Sequence, residues 1–262
     1  MEQLKGTGIA LVTPFFDGAI DYDGLRNVIN HTIEGGVEYL VSLGTTGETP
    51  TLSAKEQKAV LEFTIQEVKG RVPLVAGFGG NNTAQIVEDI KSFHFKGVDA
   101  ILSSSPNYNK PTQEGIFQHY MAIAEVAPCP IIIYNVPGRT SRNITAATTL
   151  RLANASDKFV AIKEASGDLG QCMEIIKNRP KGFLMLSGDD ALALPLISLG
   201  AEGVISVIGN AYPKIFSDMI RYSRAGDFEK ARPLHYSLSD VANLIFVECN
   251  PAGLKGSLEI LG

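Results

Sequence analysis

The stretch FVAIKEA, residues 159–165, decides the fold and points to the chemistry. Its first four residues are apolar and typical of a buried β-strand, yet the run continues into a charged side chain, Lys163. Burying an ammonium group costs several kcal/mol unless the group is paired or loses its proton. Desolvation lowers the pKa of a lysine, and the neutral amine is a nucleophile for carbonyl carbon. Lys163 is therefore a candidate for Schiff-base chemistry. The alternative is a lysine whose head reaches solvent at a strand end.

Similar apolar, β-branched runs recur along the chain, and amphipathic stretches of helical period separate them. Ser53 and Glu56 have the spacing of a capping box that opens a helix over residues 55–69. Such alternation fits a closed parallel (β/α)8 barrel, the TIM barrel. A doubly wound open sheet is the alternative, but no GxGxxG follows the first strand. The predicted strands are 8–13, 39–43, 73–77, 100–104, 130–135, 159–164, 183–188 and 203–208.

The strand pattern stops near Gly226, and residues 227–248 have the pattern of an added helix. We therefore expect an α/β protein with a catalytic barrel over residues 1–226 and a short C-terminal helical appendage over residues 227–262. Nothing between the two has the composition of a linker.

Composition narrows the classes of function. The 262 residues are 45% hydrophobic and 19% charged, which is typical of a soluble globular protein. A net charge of −5 argues against a nucleic-acid partner, and no apolar run approaches the ~20 residues that cross a bilayer. The first residues lack the features of a signal peptide. Together with three scattered cysteines that resemble free thiols (Cys129, Cys172 and Cys249), this predicts a cytoplasmic protein.

In such a barrel the catalytic groups lie where the strands end in βα loops. Tyr134 ends the fifth predicted strand, and Lys163 ends the sixth. Period-two alternation puts Tyr134 on one face with Ile132, and Lys163 on one face with Ala161. Neighbouring strands lie about 4.8 Å apart, so inward faces would bring phenol and amine into one cavity. Tyr134 is then a candidate proton donor and acceptor, the alternative being a tyrosine of the core.

Two loops at the same end supply candidates for binding carboxylates. Thr45 and Thr46 lie in a glycine-bounded turn whose hydroxyl and N–H groups could hold a carboxylate, although ordinary turn chemistry explains them too. Arg139 follows Tyr134, and its forked donors suit a carboxylate, although a surface ion pair is the alternative.

A metal mechanism is disfavoured because no histidine falls at a predicted strand end. Asp189 and Asp190 are the only carboxylate pair on the working face, and we expect them to start the next helix, where carboxylates suit the helix dipole. No metal ion is therefore predicted. The four histidines, all in predicted helices, are His31, His94, His119 and His235.

Three motifs together resemble the dihydrodipicolinate synthase family: GTTGE at 44–48, YNVPGRT at 134–140 and IKEAS at 162–166. SPNYNKP at 105–111 and LSGDD at 186–190 support the resemblance, which runs from about Gly6 to Leu261. The wider superfamily, which includes N-acetylneuraminate lyase, shares the barrel, the lysine and the tyrosine. Arg139 is similar to the arginine of the synthase branch.

The resemblance implies a lyase of lysine and diaminopimelate biosynthesis that joins pyruvate to L-aspartate 4-semialdehyde. Lys163 would form an imine with pyruvate, with no other cofactor, and the derived enamine would attack the aldehyde. The family further implies a homo-oligomer, a dimer or tetramer. It implies proton shuttling by Tyr134, a link through Thr46 to Tyr108 of a neighbouring subunit, and substrate binding by Thr45, Thr46, Arg139, Gly188 and Ile205.

The chain departs from the family pattern near its C-terminus. Family members usually continue beyond the point that corresponds to Gly262, so the resemblance implies that final helices of the appendage are absent. We expect intact chemistry with reduced stability, because apolar surface would be exposed. Gly253 also replaces a usual proline and should loosen its turn.

A second departure concerns feedback by lysine. Family members that lysine inhibits favour His, His, Glu and Tyr where this chain has Ala54, Gln57, Gln85 and Asn107, although Asn81 is kept. An ε-ammonium loses charge-assisted hydrogen bonds without those partners. We therefore expect weak or absent inhibition.

Two other functions stay open at this stage. One is a different pyruvate-dependent aldolase or lyase of the superfamily, which acts on sugar acids. The other is a barrel without catalysis that binds small carboxylates.

Overall fold

The computed structural model describes residues 2–262, and its main sheet is a closed barrel of eight parallel strands. Each strand pairs with the next along the chain, and β8 closes the barrel by pairing with β1. The predicted (β/α)8 barrel is confirmed, with strand ends that differ by a few residues from the predicted ones. The strands are β1 Gly6–Ala10, β2 Tyr39–Ser42, β3 Leu74–Gly77, β4 Ala100–Ser104, β5 Ile131–Asn135, β6 Phe159–Glu164, β7 Leu184–Ser187 and β8 Gly203–Ser206.

Helices surround the barrel, and seven of the eleven in residues 2–262 begin at a side chain that accepts from a free N–H group of the first turn. The predicted capping box is present: the Ser53 hydroxyl accepts from the Glu56 N–H, and the Glu56 carboxylate accepts from the Ser53 N–H. The helices are α1 Tyr22–Glu34, α2 Ala54–Val68, α3 Thr83–Ser92, α4 Gln113–Val126, α5 Pro137–Thr140, α6 Ala146–Ala155, α7 Leu169–Asn178, α8 Ala193–Ser198, α9 Pro213–Arg224, α10 Phe228–Val247 and α11 Ala252–Leu261.

One small element was not predicted from the sequence, and one local prediction was wrong. Residues 15–20 form a small hairpin, because Asp17 and Gly18 both adopt positive φ, 49° and 76°, and so turn the chain tightly. His94 lies in a loop and not in a helix. Helix α3 ends at Ser92 because Phe93 and Phe95 turn in to pack on another ring, Phe78, with centroids 5.9 and 5.4 Å from it.

The barrel interior is filled by side chains, so it is a packed core rather than a pore. Leu4 and Tyr39 are fully buried in the inner cluster and close its amino-terminal end. Gly8 allows this plug, because a Cβ atom there would lie 2.2 Å from the Tyr39 ring. The open end is therefore the carboxyl end of the strands.

The C-terminal appendage contains the predicted helix: α10 begins after Asp227 and ends at Val247, and it packs on α9. A second helix, α11, turns back against α10. Apolar side chains are exposed on both helices, among them Leu244, Val247 and Ile260. The division at residue 226 and the reduced stability stay predictions. No helix within residues 2–262 is both long and apolar enough to span a bilayer.

Candidate active site

Lys163 and Tyr134 face each other across two neighbouring strands. Tyr134 of β5 is in register with Lys163 of β6, and both side chains are at least 90% buried. The Lys163 Nζ lies 4.3 Å from the centroid of the Tyr134 ring. Ile132 and Ala161 belong to the inner cluster, as the alternation predicts, so this face points into the barrel. No ion pair within residues 2–262 involves Lys163, so its amine is buried beside an aromatic ring without a carboxylate.

The opposite face of the same strands carries a saturated hydrogen-bond network. The buried Glu164 carboxylate accepts from the Asn135 amide at 2.9 and 3.0 Å, from the Gln171 amide at 2.9 Å and from the Ser166 N–H at 2.7 Å. Asn143 in turn bonds to Asn135 and Gln171. The network ties β5, β6 and α7 together directly behind Tyr134 and Lys163.

The loop after β2 holds its backbone in an unusual conformation. Leu43 and Glu48, on either side of the Gly44–Gly47 segment, adopt φ of 58° and 53°, a region that residues with side chains seldom occupy. The Leu43 carbonyl lies so close to β3 that a Cβ on Gly77 would be 2.0 Å from it. Such strain persists where the surrounding structure enforces it, and often at functional sites. Here it places Thr46 in the interior, with Thr45 half-buried.

Asn250, on the turn between α10 and α11, joins two of the predicted site residues. Its Nδ2 donates to the Thr46 Oγ1 at 2.9 Å, and its carbonyl oxygen accepts from the Arg139 Nη2 at 2.9 Å. Asn250 was not among the residues predicted from the sequence, where its only signal is the motif NPAGLK at 250–255. Within residues 2–262 no hydrogen bond joins Thr46 to Tyr134, and the one side-chain partner of the Thr46 hydroxyl is Asn250.

The remaining predicted residues lie at different places around this group. Gly188 approaches β6 closely: its N–H donates to the Glu164 carbonyl at 2.7 Å, and a Cβ would be 2.6 Å from that of Ala165. Ile205 is buried in the inner cluster. Tyr108 is 85% exposed on the loop after β4 and makes no hydrogen bond to Thr46 or Tyr134 within the described chain.

The prediction that Asp190 starts a helix was wrong, because α8 begins only at Ala193. The Asp190 Oδ2 accepts from the Val207 and Ile208 N–H groups at 3.0 and 2.9 Å, so it links the loops after β7 and β8. Burial raises the pKa of this carboxyl above its ordinary value. Nowhere in residues 2–262 do three His, Cys, Asp or Glu side chains converge in a way that could hold a metal ion.

The fold and this site define a class of protein: parallel barrels that carry a buried, unpaired lysine at a strand end and could bind a carbonyl compound through it. The chain belongs to the dihydrodipicolinate synthetase family, whose sequence profile matches residues 3–262.

Individual relatives agree with this assignment. The chain is 52% identical over 260 residues to the 4-hydroxy-tetrahydrodipicolinate synthase of Parabacteroides distasonis, and the match covers 99% of this chain and 88% of the relative. The chloride-inhibited dihydrodipicolinate synthase of Acinetobacter baumannii, solved in complex with pyruvate, is 39% identical with a TM-score of 0.95 and coverages of 99% and 89%. A structure described as the first monomeric dihydrodipicolinate synthase variant is 35% identical with a TM-score of 0.96 and coverages of 99% and 88%.

Proposed function

We propose that this protein condenses pyruvate with L-aspartate 4-semialdehyde to give 4-hydroxy-tetrahydrodipicolinate, a step of lysine and diaminopimelate biosynthesis. By the bond that is cleaved overall it is a carbon–oxygen lyase of the hydro-lyase type. The observation that carries the proposal is Lys163, which is buried at the end of β6 and has no carboxylate partner in the described part of the chain. Family membership supplies the identity of the substrates.

The chemistry begins when the Lys163 amine attacks the ketone carbon of pyruvate and water leaves, which forms an imine. The imine acidifies the methyl group, so loss of a proton gives an enamine. The enamine carbon attacks the aldehyde carbon, and the aldehyde oxygen becomes the new hydroxyl. The substrate amine then attacks the imine carbon and displaces Lys163 as the ring closes. One water is lost overall, and no cofactor beyond this imine takes part.

Site residues take the following roles in the proposal. Tyr134 gives and takes protons, because its phenol is on the inner face opposite Lys163. Thr45 and Thr46 hold the pyruvate carboxylate, Arg139 holds the carboxylate of the semialdehyde, and Gly188 and Ile205 line the pocket. Two small reactants must meet in one geometry, so such positioning contributes much of the rate.

Borohydride reduction in the presence of pyruvate tests the proposal. We expect a stable mass increase on the peptide that carries Lys163. Lys163→Ala should show none, and Lys181→Ala, which changes an exposed lysine, should label fully. A protein that gains no mass would be a binding barrel without this chemistry. A protein that labels but cleaves sialic acid and ignores aspartate semialdehyde would be a lyase of the wider superfamily.

We also infer a homo-oligomer, a dimer or tetramer, in which Tyr108 completes the site of a neighbour. The support is the exposure of Tyr108, which leaves it available to a second chain. Mixing Tyr108→Phe with Lys163→Ala should restore activity through hybrid sites, and light scattering should give a mass above that of one chain. A monomer with full activity would contradict the inference. The cytoplasmic location stays a prediction.

A further inference from the structure

The turn between α10 and α11 lies against the proposed site, although the two residues it contacts there, Thr46 and Arg139, precede it by 204 and 111 residues. Asn250 is 7% exposed and contacts two loops at once, through its side chain to Thr46 and through its main chain to Arg139. The C-terminal segment is therefore part of the wall around the predicted site, not only a cover for the helices.

Neighbouring contacts hold this turn in place. The Lys255 ammonium pairs with the Glu48 carboxylate, next to the loop that carries Thr46, and lies 4.4 Å from the centroid of the Phe15 ring. Gly253 lets α11 approach α10, because a Cβ there would be 2.4 Å from the Ile245 carbonyl oxygen. Asn250 is thus presented by an anchored segment, which limits how far its amide can move.

The direction of the Asn250–Thr46 hydrogen bond has a chemical consequence. An amide nitrogen only donates, whereas a hydroxyl has one proton to donate and can also accept. With its oxygen accepting from Asn250, Thr46 keeps its own proton for another acceptor. The Thr46 hydroxyl makes no second hydrogen bond within residues 2–262.

The other half of the amide argues against a purely structural role. The Asn250 Oδ1 is buried and has no partner within the described chain. Leaving a buried acceptor unsatisfied is costly, so a position selected for packing alone would favour an apolar residue. The amide N–H group, which donates to Thr46, is the only part of the Asn250 side chain that makes a hydrogen bond within the described chain.

We propose that Asn250 is a positioning residue that holds the Thr46 hydroxyl as a proton donor toward the carboxylate of the bound 2-oxo acid. The idea rests on the proposed function, in which Thr46 binds that carboxylate. Asn250 touches no reacting atom. It acts through Thr46, and its main-chain oxygen keeps Arg139 at the rim.

Two substitutions test this. Asn250→Asp keeps the shape but replaces the N–H donor by an oxygen, which forces the Thr46 proton toward residue 250; Asn250→Ala removes the amide without adding charge. For both we expect kcat/KM for pyruvate to fall about tenfold to a hundredfold, chiefly through KM. Borohydride should still trap pyruvate on Lys163 at saturating concentration. The matched control is Asn243→Asp, the same change at an exposed position of α10, which should leave both constants unchanged.

A double-mutant cycle separates positioning from folding. If Asn250 acts through Thr46, Asn250→Ala should change kcat/KM less than about twofold in a Thr46→Val background. Equal effects in the two backgrounds would overturn the proposal, as would wild-type KM in both Asn250 variants. Denaturant midpoints of all variants identify any loss that comes from unfolding. A wild-type protein that neither traps pyruvate nor turns over would instead sink the proposed function.

Discussion

The two faces of strands β5 and β6 differ in how far their polar side chains are hydrogen-bonded or paired. On the inner face, Tyr134 and Lys163 lie against each other, and no carboxylate within residues 2–262 pairs with the amine. One residue further along each strand, Asn135 and Glu164 point outward into a network that accounts for both carboxylate oxygens. The difference teaches that a reactive pair on the inner face requires fully hydrogen-bonded polar groups on the outer face. The pair keeps its geometry only if other bonds fix the strands.

This division also separates catalysis from stability. Substitutions on the inner face should remove chemistry while the barrel stays folded, because few bonds are lost there. Substitutions on the outer face should lower the free energy of unfolding, because buried donors would lose their acceptor. Five measurements break or sharpen the comparison.

The largest effect is expected at Lys163. Lys163→Ala should abolish both imine trapping and turnover, because no other amine is available at that strand position. Its denaturant midpoint should equal or exceed that of the wild type, since a buried amine without an ion-pair partner among the described residues is removed. A variant that unfolds more easily than the wild type would contradict the comparison.

Tyr134→Phe comes next, with turnover reduced about 10²- to 10³-fold through loss of the proton-transferring hydroxyl. Steady-state kinetics measure the loss, and the far-ultraviolet spectrum should be unchanged. Tyr236→Phe on the exposed side of α10 is the control and should be fully active. Full activity of Tyr134→Phe would refute the proton-shuttle role.

On the outer face, Glu164→Ala should lower the free energy of unfolding by about 3 kcal/mol, because the Ser166 N–H loses its acceptor and the Asn135 and Gln171 amides each lose a charged acceptor. Equilibrium denaturation measures the change. Glu125→Ala, at an exposed site of α4, should cost less than about 0.5 kcal/mol. Equal stability of the two variants would show that the network is dispensable.

His119 extends the comparison to a buried group away from the site. Its Nδ1 bonds to the Thr83 hydroxyl, its Nε2 has no partner, and burial lowers its pKa to about 4. The unfolded chain binds this proton near pH 6.5, so the stability from neutral His119 is present above pH 6.5 and lost as pH falls toward 4. Between these limits the wild type should lose about 2–3 kcal/mol more than His119→Gln. His94→Gln, on an exposed loop, should follow the wild-type profile.

The smallest effect is expected for added free lysine. The glutamines at the family's lysine-binding positions already make hydrogen bonds within the chain, as the residues on the outer face of β5 and β6 do. The Gln57 amide donates to the Thr49 and Leu52 carbonyls, and the Gln85 amide donates to Asp89. Lysine at about 1 mM should therefore change the initial rate less than twofold. Inhibition at micromolar lysine would show that these groups reorganise.

Local sequence patterns predicted most of the fold. The capping box at Ser53 and the alternation at Ile132–Tyr134 each depend on neighbours within a few residues, and the structure agrees with both. His94 was misplaced because an aromatic cluster with Phe78, distant in sequence, ends α3 early.

The site was only partly predictable for the same reason. Lys163 and Tyr134 follow from strand periodicity, but Asn250 meets Thr46 across 204 residues of chain, and no local pattern reports such a contact. Asp190 resembled a helix start, whereas its acceptors serve a neighbouring loop. Long-range hydrogen bonds therefore set the limit of what could be predicted from the sequence.

The burial of Tyr39 at the amino-terminal end of the barrel has a consequence for how small molecules reach Lys163. Since Leu4 and Tyr39 close the amino-terminal end of the barrel, any small molecule that reaches Lys163 enters and leaves at the carboxyl end. Both reactants must therefore approach Lys163 from the carboxyl end of the strands. The finished ring must then depart before another cycle can start.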